Sequence, residues 1–153
     1  CWYCFKGSNE GEYRWADNFK EITENFFHLL DHYKKFGKDR FEIHIVGGEP
    51  TLWPDLGKFT KEIKENYNSW ISISTNGSRT LRWWEQYAEY FDDVMISVHH
   101  EYADIEHLKN VADIVYSKGK VVTGMVLMDP FAWNKCIDII AQLKKSKYKQ
   151  TLC

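Results

Sequence analysis

Phe41-Glu42-Ile43-His44-Ile45-Val46-Gly47-Gly48-Glu49-Pro50-Thr51-Leu52 is the stretch whose reading decides the fold. Apolar and polar side chains alternate from Phe41 to Ile45 within a strand read from Phe41 to Val46, the period of a strand whose two faces meet different surroundings. Gly47 and Gly48 close that strand, and Pro54 opens a segment in which Leu56, Phe59 and Ile63 recur at helical spacing. A strand that turns through glycines into a helix is the repeating unit of an α/β protein.

The same unit recurs on both sides of this stretch. Upstream, Phe19, Ile22, Phe26, Leu29, Leu30 and Tyr33 predict a helix from an N-cap at Asp17 to a stop near Gly37. Downstream, Trp70 to Thr75 reads as a strand ending on Asn76-Gly77, followed by a helix carrying Leu81, Trp84, Ala88 and Phe91. Val94 to His99 is extended, and Ile105, Leu108, Ala112 and Val115 make a helix stopped by Lys118-Gly119. A strand from Lys120 to Leu127 and a helix marked by Trp133, Ile137 and Ile140 complete the series. Strict alternation with short links predicts parallel strands joined by right-handed crossovers, in an open α/β sheet or a partial (β/α) barrel. No linker or low-complexity stretch divides the chain, so a single domain over 1–153 is expected.

The strands carry a second signal. Glu42 and His44, Ser72 and Ser74, and Ser97 and His99 fall on one face, while Ile43 and Ile45, Ile71 and Ile73, and Val94, Ile96 and Val98 take the other. A parallel strand covered on both sides is apolar on both, so the recurring polar stripe predicts a polar interior that a ligand can enter. Satisfied core hydroxyls and imidazoles would explain any one of these six residues, but less well all of them together.

Composition narrows the function classes. The 153 residues are 44% hydrophobic and 27% charged, as in an ordinary globular domain. Twenty Lys and Arg against 22 Asp and Glu leave no basic field to hold a nucleic-acid backbone, so no nucleic acid is expected. The longest apolar runs, such as Val121 to Met128, fall far short of the ~20 residues that span a bilayer. The four cysteines, Cys1, Cys4, Cys136 and Cys153, lack the spacing of a disulfide framework, which favours a reducing, cytoplasmic setting. Most of the seven tryptophans are read as packing residues.

Two places carry candidate chemistry. Cys1-Trp2-Tyr3-Cys4 has a spacing that serves thiol exchange, zinc ligation and iron-sulfur ligation alike. Gly47 to Leu52 lies where a strand ends and its backbone groups lose their ladder partners, so open carbonyls there can accept from an ammonium group; a plain tight turn would look the same. His99-His100-Glu101, with Asp104 and His107, has the residue types of a metal site. Its spacing puts His107 on a helix facing elsewhere, so a solvated or substrate-facing loop is expected instead. Cys136 reads as a packing residue.

In combination, the CxxC run, the strand ending in Gly47-Gly48-Glu49-Pro50-Thr51-Leu52 and the strand ending in Thr75-Asn76-Gly77 resemble the radical S-adenosylmethionine (SAM) superfamily. That resemblance implies a partial (β/α) barrel, lacking here its first strand and most of its last unit. It also implies a 4Fe-4S cluster held by a CxxxCxxC loop, of which Cys1 and Cys4 are the last two cysteines. SAM would meet the backbone of Tyr3 beside its adenine and the backbone of Gly47, Gly48, Glu49 and Pro50 at its amino group. Asn76 joins this set, and Ser97 and His99 match the region that contacts the ribose. The implied activity is reductive cleavage of SAM to a 5'-deoxyadenosyl radical, which takes a hydrogen atom from an unidentified small molecule or peptide. An electron donor such as flavodoxin or ferredoxin would be the partner. With the first cluster cysteine outside the sequence, residues 1–153 alone are expected to be inactive. The rival readings are a thiol-disulfide or zinc-binding CxxC module, which leaves the Gly47 and Asn76 motifs as coincidence, and a non-catalytic relative that keeps the barrel for binding.

Overall fold

The structure is a computed structural model and describes residues 18–152. Five helices alternate with five strands: α1 (Phe19–Lys34), β1 (Arg40–Ile45), α2 (Leu56–Asn66), β2 (Asn68–Thr75), α3 (Leu81–Tyr87), β3 (Asp93–Val98), α4 (Ile105–Ser117), β4 (Val121–Val126), α5 (Trp133–Leu143) and β5 (Lys149–Leu152). All neighbouring strands are parallel and follow chain order, β1-β2-β3-β4-β5. Every crossover therefore steps the same way across the sheet. With a fixed right hand, each connecting helix falls on the same side.

That side is the core. Ile71, Ile73, Val94, Ile96, Val98, Val122 and Val126 point into it and are buried against the apolar stripes of the helices. Trp84 and Phe91 are its largest fully buried side chains. On the opposite face Glu42 and His44 are exposed, and Ser72, Ser74, Met95, Ser97, Thr123 and Met125 are half-buried. The alternation read from the sequence thus separates a packed face from an open polar one. On the open face His44 Nδ1 lies 2.5 Å from Ser72 Oγ, joining β1 to β2 across their register.

Local chemistry sets the boundaries. Asn18, not Asp17, caps α1: its side chain accepts from the Glu21 amide at 3.2 Å and donates to the Glu21 carboxylate at 3.1 Å. Gly37 and Gly119 stop α1 and α4 in the left-handed conformation, with φ of 75° and 71°. α2 starts two residues after Pro54, and Pro50–Leu52, read from the sequence only as part of a turn, forms a 3₁₀ turn.

At the N-terminal edge of the strands, Asp92 ties the sheet to its helices. Its carboxylate accepts from Lys64, from the Ile71 amide at 2.8 Å and from Lys120 at 3.2 Å. Burial pushes the Asp92 pKa up, but these three donors outweigh it and hold the group below the usual carboxylate value. At the far end Tyr148 is buried, its hydroxyl donates to the Leu108 carbonyl, and burial pushes its pKa far up.

Candidate functional site

The links that leave the C-terminal ends of the strands enclose a cleft of about 640 Å³. Gly47, Gly48 and Glu49 come from the link after β1, Ser74 to Asn76 and Ser78 from the end of β2, and Ser97 and His99 from the end of β3. Tyr102, Asp104, His107 and Leu108 close it from the β3–α4 loop and the first turns of α4, and Leu127 follows β4. This is the edge where α/β folds collect their ligands, because the strand ends leave backbone groups unpaired and the loops converge. The volume lies within the ~300–1,000 Å³ range of small-molecule and cofactor sites.

The two glycines at the mouth play different parts. Gly47 has φ of 146°, a conformation that side chains rarely adopt. Gly48 has no such constraint, and a Cβ built on it would meet nothing within 4 Å. Its missing side chain leaves open space in the cleft rather than relieving a clash. Gly77 is required on packing grounds: its φ is 72° and a Cβ would fall 2.7 Å from Leu108 Cδ2.

A polar ring holds the loops around this space. Glu49 Oε1 accepts from the Thr51 amide at 3.1 Å, the Thr51 hydroxyl at 2.6 Å and the Thr75 hydroxyl at 2.6 Å. Its Oε2 accepts from the Asn76 amide at 2.6 Å. Arg79 Nε donates to the Thr51 carbonyl, closing the circuit between the two loops. His107 Nε2 lies 3.0 Å from both the Gly77 and the Arg79 carbonyl. Both partners are acceptors, so the proton sits on Nε2.

Six of the residues singled out in the sequence, Gly47, Gly48, Glu49, Asn76, Ser97 and His99, therefore line one cleft although they come from three different strands. Pro50 stands just behind it, as the first residue of the 3₁₀ turn. Cys1, Tyr3 and Cys4 lie outside the described residues. His107, expected to face elsewhere, faces the cleft, because side chains in the first turn of a helix point back toward its N-terminus, here toward the β2–α3 loop. Thr75, quoted only as part of the Thr75-Asn76-Gly77 motif, also lines the site, as do Ser78 and Tyr102, which were not singled out; Tyr102, 78% exposed, stands at its rim. Burial lowers the His99 pKa from its ordinary value, so the ring is neutral at pH 7 and can both donate and accept. Among the described residues no three His, Cys, Asp or Glu side chains are grouped to hold a metal ion.

The model of the radical SAM superfamily matches residues 1–140, from the CxxC run through every cleft-lining loop. The chain belongs to the radical SAM superfamily. No curated protein matches it. The matched span contains the loops at the strand ends that enclose the open space. Within the described residues no helix is long and apolar enough to cross a membrane.

Proposed function

We propose that this chain is the SAM-binding core of a radical SAM enzyme that takes a hydrogen atom from a small molecule or peptide, with an electron donor such as flavodoxin or ferredoxin as partner. The observation that carries the reading is the open space over Gly48, in a cleft built from the loops that the superfamily resemblance assigns to SAM. Chain-ordered parallel strands, helices on one side and a polar open face support a partial (β/α) barrel whose lumen continues from the cleft.

When bound, a 4Fe-4S cluster and SAM supply one-electron reductive cleavage of a sulfonium carbon–sulfur bond, giving methionine and a 5'-deoxyadenosyl radical. The chain's own residues do the holding. The carbonyls at Gly47 and Gly48 accept from the amino group of SAM, a charge-assisted bond that orients it. The Ser97 hydroxyl and the neutral His99 ring exchange hydrogen bonds with the ribose hydroxyls, and Asn76 closes the same side. The resemblance gives Tyr3 to the adenine and Cys1 and Cys4 to two of the three thiolates that would hold the cluster.

Iron content tests the ligand assignment. The protein, expressed with whatever residues precede Cys1 in its gene and reconstituted without oxygen, is expected to carry close to four irons (about, for one cubane). Cys1→Ala or Cys4→Ala should each remove most of that iron. Normal iron content and an unchanged visible spectrum in both variants would overturn the assignment.

A further inference from the structure

Glu49 lines the cleft, yet most of its carboxylate's hydrogen bonding is taken up within the protein. An ionised carboxylate offers about four acceptor sites. Here Oε1 takes three donors and Oε2 takes one, three of the four at 2.6 Å, the length of charge-assisted bonds, and one acceptor site on Oε2 stays open. The donors belong to two separate segments: Thr51 sits in the 3₁₀ turn after β1, and Thr75 and Asn76 end β2. Thr51 is fully buried and Thr75 is 2% exposed, so neither hydroxyl has water to replace a lost partner.

We infer that Glu49 is a positioning residue. Its carboxylate clasps the Gly47–Leu52 loop to the end of β2, so that the backbone carbonyls on one wall of the cleft and Asn76 on the other are held at a fixed separation. The backbone of this loop is then held in place for the ligand's amino group, and Glu49 acts on binding through that backbone. Arg79, bonded to the Thr51 carbonyl, and His107, bonded to the Gly77 and Arg79 carbonyls, extend the same body to α4. The coupling is a property of the chain alone; its consequence for SAM rests on the function proposed above.

Thr51 gives the cleanest test, because it is bonded to Glu49 but is not part of the cleft wall. Thr51→Val keeps the shape and removes the hydroxyl, while Thr51→Ser keeps the hydroxyl. Hydrogen exchange followed by NMR is expected to show the Asn76 amide, on the other segment, exchanging about tenfold faster in Thr51→Val and at the parent rate in Thr51→Ser. SAM titration should show affinity weakened about tenfold by Thr51→Val, restored by Thr51→Ser, and weakened comparably by Glu49→Gln. The double variant should be little worse than either single one, as expected for two groups acting through one clasp. Unchanged Asn76 exchange in Thr51→Val would overturn the coupling. A loss of SAM binding in Glu49→Gln with parent affinity in Thr51→Val would show instead that the carboxylate touches the ligand. If the parent binds no SAM, the proposed function fails, and the exchange data still decide the clasp.

Discussion

Replacing Gly48 by Val separates the fold from the site. No atom lies within 4 Å of the position its Cβ would take, and its φ is not in the left-handed region, so a Cβ is accommodated without moving a neighbour and the branch extends into open space at an exposed position. The unfolded chain loses freedom and the folded one gains no clash, which keeps the stability change within about 0.5 kcal/mol. For a chain of this length that is a shift of roughly 2 °C or less in the melting temperature. Binding responds differently. The new methyl groups occupy the space in which the SAM amino group would approach the backbone. A displaced charge-assisted hydrogen bond is worth about 1.5–3 kcal/mol, or a 10- to 100-fold loss of affinity. Circular-dichroism melts and anaerobic calorimetry with SAM measure the two quantities on the same preparation. A folded Gly48→Val protein with parent SAM affinity would refute the placement of the ligand over this glycine.

Gly57 presents the opposite case: a Cβ there would sit 2.4 Å from Tyr87 Cγ, against the ring that packs α3 onto α2. Gly57→Ala gains about 1 kcal/mol of helix propensity but incurs about 1–3 kcal/mol of overpacking, so the melting temperature is expected to fall by up to about 8 °C; a rise would contradict the packing described. Asp92, whose folded pKa is lowered, contributes stability above its unfolded pKa and loses it as pH falls through the folded value. Urea midpoints at pH 5 and pH 3 should therefore drop more in the parent than in Asp92→Asn, and equal drops would remove Asp92 from the acid response. Ser97→Ala is expected to weaken SAM binding several-fold, about 1 kcal/mol, with an unchanged melt; parent affinity would remove Ser97 from the ribose contact.

Much of the architecture was readable because the chain uses one grammar throughout. The alternation Glu42-Ile43-His44-Ile45 and its counterparts in β2 and β3 mark both the strands and the side of each that stays open. The site was readable as far as backbone chemistry goes: the glycines at 47 and 48 and Asn76-Gly77 stand at strand ends, and strand ends converge. What escaped depends on contacts between residues distant in sequence. Glu49 meets Thr75 across 26 positions, and nothing in either segment alone announces that its carboxylate joins the two. His107 was misdirected because helical spacing gives a face but not the tilt of the first turn toward the β2–α3 loop. The Asp17 and Asn18 pair offers two good caps, and only the geometry selects Asn18.

The reaction itself is the most direct measurement. The product of the whole gene, reconstituted with iron and sulfide without oxygen, is incubated with SAM and dithionite, and 5'-deoxyadenosine is quantified by mass spectrometry. Time-dependent formation by the parent, falling to background in Cys4→Ala, is the result expected of a radical SAM enzyme built on this cleft. A parent that carries four irons (about, for one cubane) and binds SAM yet releases no 5'-deoxyadenosine, or a Cys4→Ala variant that releases as much as the parent, would contradict it.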